Sequence, residues 1–274
     1  MGELKELSPE DRAKRYAKWY YEPIAEPDAG LLEQLSHGPM DPSKAQRIEN
    51  INDFLNPGYF EVETGYCILP NGAGYLAVNN KMPGVTADMV NWWMAWHSLD
   101  SLRYKLWYPP AHVSVEVSAP SRKKILDPAT PPALRFQGIR HHVVEGIGGP
   151  PNDIWISFMT PEEFGFDMSR WHSPNAATLV GANGLNKVPG GPPGLKSPAV
   201  MMHFIREIPG GIEFRTRFWG GYQIIGRKPY LFLPSFVKLP VDLMRALAVH
   251  NVEEFTRLRV ILPRIYAEEK DNWL

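Results

Sequence analysis

Prolines and glycines interrupt this chain so often that few long regular elements can form in it. They account for 27 and 23 of its 274 residues, respectively, and both residue types end helices and strands. Residues 241–262 contain neither type and predict one long helix that ends at Pro263. Short strands ahead of a long terminal helix favour an α+β fold, in which the helix packs on an antiparallel sheet.

Runs rich in β-branched and aromatic residues predict the strands. They are residues 59–69, 74–82, 103–108, 112–118, 134–147, 154–159 and 177–181, and a hairpin over 199–222 that turns at Pro209-Gly210-Gly211. Thr86 is placed to cap a helix that runs through Trp96. Residues 184–198 are too rich in glycine and proline for either regular state, so they predict a loop near an opening.

The beginning of the chain has a different pattern. Ser8, Asp28 and Asp41 are typical helix-capping residues, and proline follows Ser8 and Asp41 at the first helical position. We therefore predict a small N-terminal helical region over residues 1–58, ahead of a larger domain over residues 59–274.

Charge and cysteine content exclude several classes of partner and site. Lysine and arginine number 29 against 30 acidic residues, so the chain has no basic footprint for nucleic acid or an anionic membrane. Cys67 is the only cysteine, which rules out an intramolecular disulfide and predicts a buried, inert thiol. No signal peptide or apolar run of about 18 residues is visible. We expect a cytoplasmic protein without nucleic-acid or membrane partners.

One stripe of the terminal helix carries a polar pair among apolar side chains. At 100° per residue it contains Leu243, Leu247, His250, Glu254, Leu258 and Ile261. The opposite face carries Arg245, Val252, Thr256 and Arg259 and is predicted to meet solvent. A buried carboxylate needs a partner, and His250 and Glu254 are spaced by one helical turn, as two ligands of one metal require. The alternative is a core histidine and an ion pair between Glu254 and an arginine.

Two predicted strands offer further ligands. Alternation over residues 112–117 places His112, Ser114 and Glu116 on one face and the three valines on the other. Alternation over residues 140–145 places His141, Val143 and Glu145 on one face and His142 on the other. Two imidazoles and two carboxylates would make a net-neutral zinc site that can bind water or a carbonyl.

Five segments resemble the diacetylphloroglucinol and phloretin hydrolases. They are GYCILPNGAGYLAV (65–78), MPGVTADMVNWWMAWHSLDSLRYKLWYP (82–109), HHVVEG (141–146), MMHFIREIPGGIEFRTRFWGGY (201–222) and HNVEE (250–254). The resemblance covers most of the chain from about Asn56 onward. It implies a helix-grip fold, like that of birch pollen allergen and START domains, after a small N-terminal region used for dimerisation.

The resemblance also implies a site and an activity. Matched onto this sequence, zinc would be held by His112, Glu145, His250 and Glu254, with His97 as the alternative to His112. The implied reaction is zinc-dependent hydrolysis of the carbon–carbon bond between a phloroglucinol ring and its acyl group. The substrate would be diacetylphloroglucinol, monoacetylphloroglucinol, phloretin or another small acylated phenol.

Further residues are expected around the substrate. Tyr104 would bind a ring hydroxyl, and His203 would act as general acid or base or orient a hydroxyl; ordinary packing is the alternative for both. Four tryptophans could form the aromatic wall of a cavity, with at least two of them serving the core instead: Trp92, Trp93, Trp96 and Trp107. For the whole protein, the alternatives are a non-catalytic carrier of apolar or phenolic ligands and a zinc hydrolase of esters or amides.

Overall fold

A computed structural model describes residues 4–188, 190 and 192–274 of the chain. The α-helices, α1 to α7, are Pro9–Arg12, Ala29–Ser36, Ala87–Trp96, Ser101–Trp107, Ala119–Leu126, Pro161–Phe164 and Val241–Glu269. The strands, β1 to β10, are Gly65–Ile68, Gly74–Pro83, His112–Val117, Arg140–Glu145, Asn152–Met159, Thr178–Lys187, Lys196–Ile208, Gly211–Gly220, Tyr222–Ile225 and Lys228–Leu231. The 3-10 helices are Ala17–Tyr21, Pro42–Lys44, Ile48–Leu55, His97–Leu99 and Pro132–Leu134.

Eight of these strands form one antiparallel sheet in the order β1-β2-β8-β7-β6-β5-β4-β3. Phe255, Leu258 and Ile261 of α7 belong to the same buried cluster as Ile205 and Phe214 of the sheet. A second cluster joins the 3-10 helix Ile48–Leu55 to the sheet. The predicted α+β class is confirmed, with a large antiparallel sheet and a long C-terminal helix.

The helix α7 begins at Val241, as predicted, but it passes through Pro263 and ends at Glu269. A proline inside a helix removes one backbone hydrogen bond and costs about 3 kcal/mol. Beyond it, Ile265 is fully buried and Tyr266 packs against the main core. The burial of these side chains offsets the cost of Pro263, so the predicted end of the helix was wrong.

The predicted solvent face of α7 is covered in part, although Arg245 is exposed as predicted. Val252 and Thr256 are buried, and Val252 packs with Leu35 of α2. The guanidinium of Arg257 is also buried, and it donates hydrogen bonds to the backbone carbonyls of Trp19, Glu22, Pro23 and Leu106. Residues of the N-terminal region thus cover the back of this helix, which periodicity within the helix alone could not indicate.

Several predicted helix caps and strands are confirmed at their predicted positions. Ser8, Asp28 and Asp41 each cap the element that follows them, and Thr86 caps α3. The strands predicted at 74–82, 112–118 and 154–159 and the hairpin at 199–222 are present as β2, β3, β5 and β7–β8.

Other predictions were wrong or too long. Residues 103–107 lie in the helix α4, whose first turn is capped by the side chain of Asp100, and Tyr108 follows its end. Within the predicted strands 59–69 and 134–147, only β1 and β4 form. The predicted loop 184–198 was wrong at both ends, because β6 extends to Lys187 and β7 begins at Lys196. None of the described helices is both long and apolar enough to cross a membrane.

Candidate metal centre and substrate cavity

A cavity of about 110 Å³ lies between the sheet, α4 and α7. Apolar side chains form most of its walls, among them Met94, Trp107, Ile154, Phe158, Val180, Met201, Phe218 and Leu247. All six residues predicted for the site line this one cavity: Tyr104, His112, Glu145, His203, His250 and Glu254. They come from α4, β3, β4, β7 and α7, so the fold assembles the site from distant parts of the chain.

An irregularity in β3 aims His112 at the cavity. His112 lies directly opposite Glu145, and the register shifts between His112 and Ser114, so that Val113 is an extra residue in a β-bulge. As a result His112 and Val115 are buried while Glu116 is exposed. The predicted grouping of His112 with Glu116 on one face was therefore wrong, because simple alternation does not hold across a bulge.

The neighbouring strand β4 follows the predicted alternation. His141, Val143 and Glu145 line the cavity. His142 points to the other side of the sheet, where its Nε2 is 2.9 Å from a carboxylate oxygen of Asp153 and its ring stacks on Trp155.

The candidate ligands converge at one end of the cavity. The Nε2 atom of His112 is 3.6 Å from Oε2 of Glu254 and 3.7 Å from Oε2 of Glu145. The Nε2 atom of His250 is 3.9 Å from the same oxygen of Glu254. The ligand atoms offered by His112, His250 and Glu254 all lie within 4.8 Å of one another. This spacing suits three ligands of one metal ion, and Glu145 lies beside them.

The electrostatics of this cluster fit a divalent cation. Nδ1 of His112 is 3.2 Å from the backbone carbonyl of Tyr104, which fixes the proton there, and its buried Nε2 has no partner among the described residues. Burial lowers the pKa of His112 and of His250, so both are neutral and able to ligate. Burial also raises the pKa of Glu254 from 4.5 to about 8. This shift reflects the free energy needed to bury a charged carboxylate that has no cation beside it.

The alternative of a buried ion pair with arginine does not match the geometry. Glu254 lies against two histidines, and no arginine or lysine is among the described residues that line the cavity. Two neutral imidazoles and two carboxylates are a donor set that zinc and related metals prefer.

Tyr104 lies beside the candidate ligands. Its hydroxyl donates a hydrogen bond to Glu145, and its ring stacks on His112 with centroids 4.1 Å apart. Burial and the charge of Glu145 hold the pKa of Tyr104 well above its usual value. The hydroxyl therefore stays protonated and fixes the position of the carboxylate.

His203 lies on another wall of the cavity. Its Nδ1 is 2.8 Å from the hydroxyl of Thr216, and its ring packs against Phe255 with centroids 5.0 Å apart. Burial lowers the pKa of His203 to about 3, so the ring is neutral.

His97 also lines the cavity, but it is not part of the group of ligand atoms around Glu254. Its Nδ1 is 2.7 Å from the backbone carbonyl of Trp93, and its ring faces that of Tyr104. The geometry therefore favours His112 over His97 as the ligand. Among the described residues that line the cavity, His141 is the histidine to which the sequence assigned no role, although strand alternation placed it on the face of Glu145.

The tryptophans and the cysteine have mainly structural surroundings. Trp107 lines the cavity, whereas Trp92 and Trp96 stack on each other in the core with ring centroids 4.8 Å apart. This confirms that at least two of the four serve the core.

Cys67 is buried in the second cluster, and burial raises the pKa of its thiol to about 11. The prediction that this thiol is buried is confirmed, and a raised pKa disfavours the reactive thiolate.

The fold and the cavity define an α+β protein with a buried candidate metal centre. Residues 46–267 match the model of a protein family described as the DAPG hydrolase PhiG domain, and the chain belongs to this family of hydrolases. It is 32% identical over 267 residues to phloretin hydrolase of Eubacterium ramulus, and the match covers 96% of this chain and 93% of that protein. It is 29% identical over 272 residues to 2,4-diacetylphloroglucinol hydrolases of a Pseudomonas species and of Pseudomonas protegens; the match covers 94% of this chain and 89% and 85% of those proteins.

Proposed function

We propose that this protein is a zinc-dependent hydrolase that cleaves the carbon–carbon bond between a phloroglucinol ring and its acyl group. The observation that carries the proposal is the buried Nε2 of His112, which has no hydrogen-bond partner among the described residues and faces the carboxylates of Glu145 and Glu254 inside an apolar cavity. A carrier of apolar ligands has no use for such a cluster, because each buried ionisable group costs free energy. The relatives named phloretin hydrolase and 2,4-diacetylphloroglucinol hydrolase support the choice of substrate class.

The proposed zinc ligands are His112, Glu145, His250 and Glu254. When bound there, zinc would supply a Lewis acid for the acyl carbonyl and lower the pKa of a water molecule toward about 7. The protein contributes the orientation of these four side chains. Tyr104 holds Glu145 by a hydrogen bond from its hydroxyl, and the backbone carbonyl of Tyr104 fixes the tautomer of His112.

The reaction requires the ring to leave as a carbon nucleophile. The oxygen of water bonds to the acyl carbon, the bond between that carbon and the ring breaks, and the ring carbon takes up a proton. The products are a carboxylic acid and the free phenol. Ring hydroxyls make this possible, since they let the departing ring carry the electron pair as an enolate.

The other cavity residues would bind the ring. The apolar walls exclude water and suit a flat aromatic molecule. We assign Tyr104 to a ring hydroxyl near the acyl group, because its oxygen keeps a lone pair after donating to Glu145. We assign His203 to orienting a second hydroxyl. With a pKa of about 3 it is neutral, so it acts through a hydrogen bond rather than as a cationic acid.

The finer features of the architecture are also proposals. The long helix packed on a broad antiparallel sheet supports a helix-grip fold of the birch pollen allergen and START type for residues 59–274. We propose that residues 1–58 contribute to a homodimer, as the family resemblance implies, and that the protein acts in the cytoplasm. The buried, unpaired Cys67 is compatible with a reducing compartment.

Turnover and metal content test the function together. The purified protein is incubated with phloretin and with 2,4-diacetylphloroglucinol, with and without a chelator and with zinc added back, and the released acids are measured by chromatography. We expect acid release that the chelator abolishes and zinc restores, with about one zinc per chain. His112→Asn should lose both metal and turnover. His142→Asn is the matched control, since that histidine lies on the opposite face of the sheet.

Two outcomes would overturn the proposal. Binding of phenols without acid release and without bound metal would favour the carrier. Bound metal together with turnover of esters or amides alone would keep the site and remove the carbon–carbon hydrolase.

A further inference from the structure

A second pair of imidazoles lies in the cavity, separate from the candidate metal ligands. His97 and His141 are each 1% exposed and both line the cavity. Their rings meet edge to face with centroids 5.6 Å apart. His97 in turn faces Tyr104, which stacks on His112. The four rings thus form a series that leads from the ligand cluster to the far wall.

The hydrogen bonding of this pair is incomplete. Nδ1 of His97 lies 2.7 Å from the carbonyl of Trp93, so it carries the proton and Nε2 keeps an acceptor lone pair. Nε2 of His141 is buried and has no partner among the described residues. A buried polar atom without a partner costs about 1–3 kcal/mol. This atom and the acceptor lone pair on Nε2 of His97, both on the wall of one cavity, point to a ligand group that can satisfy them.

Both histidines are also neutral. Burial lowers the pKa of His97 to about 3 and that of His141 well below its usual value. The other rings packed around them are those of Trp93, Trp107 and Phe158, which carry no charge. The group that fits between two neutral imidazoles is therefore itself neutral and both donates and accepts a hydrogen bond. A phenolic hydroxyl has this chemistry, whereas a phenolate lacks the donor.

We propose that His97 and His141 form a subsite for the ring hydroxyl that lies para to the acyl group of the substrate. In it the hydroxyl donates to Nε2 of His97 and accepts from Nε2 of His141. This inference rests on the proposed function, because it takes the acyl group to lie at the ligand cluster. Every acylphloroglucinol carries a hydroxyl at the para position, directed away from the acyl group. The subsite therefore recognises the phloroglucinol ring rather than the acyl group.

The test uses two ligands that the enzyme cannot hydrolyse. 2-Ethylphloroglucinol keeps the three ring hydroxyls but has an ethyl group in place of an acyl group, and 2-ethylresorcinol also lacks the para hydroxyl. Their dissociation constants are measured by calorimetry with the full-length, metal-loaded protein. We expect wild type to bind 2-ethylphloroglucinol at least 10-fold more tightly, since 2-ethylresorcinol leaves the buried Nε2 of His141 and the lone pair on Nε2 of His97 without a ligand partner.

Variants identify the residues that read the hydroxyl. His141→Phe and His97→Phe should each reduce the ratio of the two dissociation constants to less than 3-fold, while zinc content stays at the wild-type level. His141→Gln keeps an N–H donor and should retain part of the ratio. His142→Phe changes the adjacent histidine on the other face of β4 and should leave the ratio unchanged. Circular dichroism confirms the fold of each variant.

The inference and the proposed function can fail separately. If wild type hydrolyses acylphloroglucinols but binds the two ligands equally, or if the phenylalanine variants keep the full ratio, the subsite is refuted and the activity stands. If a phenylalanine variant does not fold, the subsite is tested by the other two measurements. Wild type should then show the 10-fold ratio, and His141→Gln should show a smaller one. If wild type neither hydrolyses the acylated phenols nor binds either ligand, the proposed function has failed.

Discussion

Replacing Glu254 with glutamine should stabilise the metal-free protein and destabilise the metal-loaded one. The side chain is only 12% exposed, and burial raises its pKa from 4.5 to about 8. The folded metal-free protein therefore binds a proton that the unfolded chain releases across this range. The stability that this proton contributes is fully present below pH 4.5 and is lost as the pH rises through 8.

The pKa difference sets the size of the effect. At about 1.4 kcal/mol per pKa unit, a change from 4.5 to about 8 corresponds to about 5 kcal/mol. Glutamine stays neutral at every pH and resembles the protonated glutamic acid in shape. The free energy of unfolding of chelator-treated wild type should thus fall by about 5 kcal/mol relative to that of Glu254→Gln between pH 4.5 and pH 9.

Urea denaturation of both proteins across this pH range measures the difference. Adding zinc should reverse the order, because the ion stabilises wild type by mass action and the variant has lost a ligand. Glu253→Gln is the matched control on the same helix, since Glu253 does not line the cavity. Parallel stability curves for wild type and Glu254→Gln, or an equal response of both to zinc, would refute the reasoning.

Three further substitutions test other parts of the structure. Tyr104→Phe frees the carboxylate of Glu145 and should lower zinc affinity and kcat by about 10- to 100-fold; wild-type zinc affinity would contradict this role. Glu63→Gln removes the carboxylate that pairs two buried arginines and should lower the free energy of unfolding in urea by about 3–5 kcal/mol. Those arginines also hold the pKa of Glu63 low against the effect of burial. A decrease of less than 1 kcal/mol would contradict this. Pro263→Ala restores a backbone donor inside α7 and should raise the melting temperature, whereas a fall would show that the local geometry requires proline.

Much of the fold could be predicted from local sequence signals, and the structure contains the elements that these signals predict. Residues 241–262 lack helix-breaking residues, and the capping positions at Ser8, Asp28, Asp41 and Thr86 are all used. The failure over residues 103–108 has a physical cause. Leu102, Tyr104 and Leu106 are all buried, so α4 has no exposed polar stripe to show its helical period, and its aromatic content resembles that of a strand.

The candidate site could be predicted in part. His250 and Glu254 follow from helical spacing. Strand alternation placed Glu145 on the face of His141, and the family resemblance assigned it as a ligand. His112 lies across a bulge that alternation cannot anticipate, so only the family resemblance placed it. The partners that fix the site come from tertiary structure: the carbonyl of Tyr104 at His112, and the N-terminal carbonyls at Arg257, three residues beyond Glu254. No local pattern in the sequence contains these contacts.

The bulge at Val113 also affects how relatives of this chain should be aligned. Two steps along β3, from His112 to Ser114, oppose one step along β4, from Glu145 to Val144. A homologue without the extra residue could keep its histidine opposite the glutamate in a regular strand. Its histidine would then stand one column away from His112 in an ungapped alignment while occupying the same position in space. Across the family, the strand directly after this ligand should therefore tolerate a single-residue deletion, whereas the pair four residues apart on the terminal helix should not.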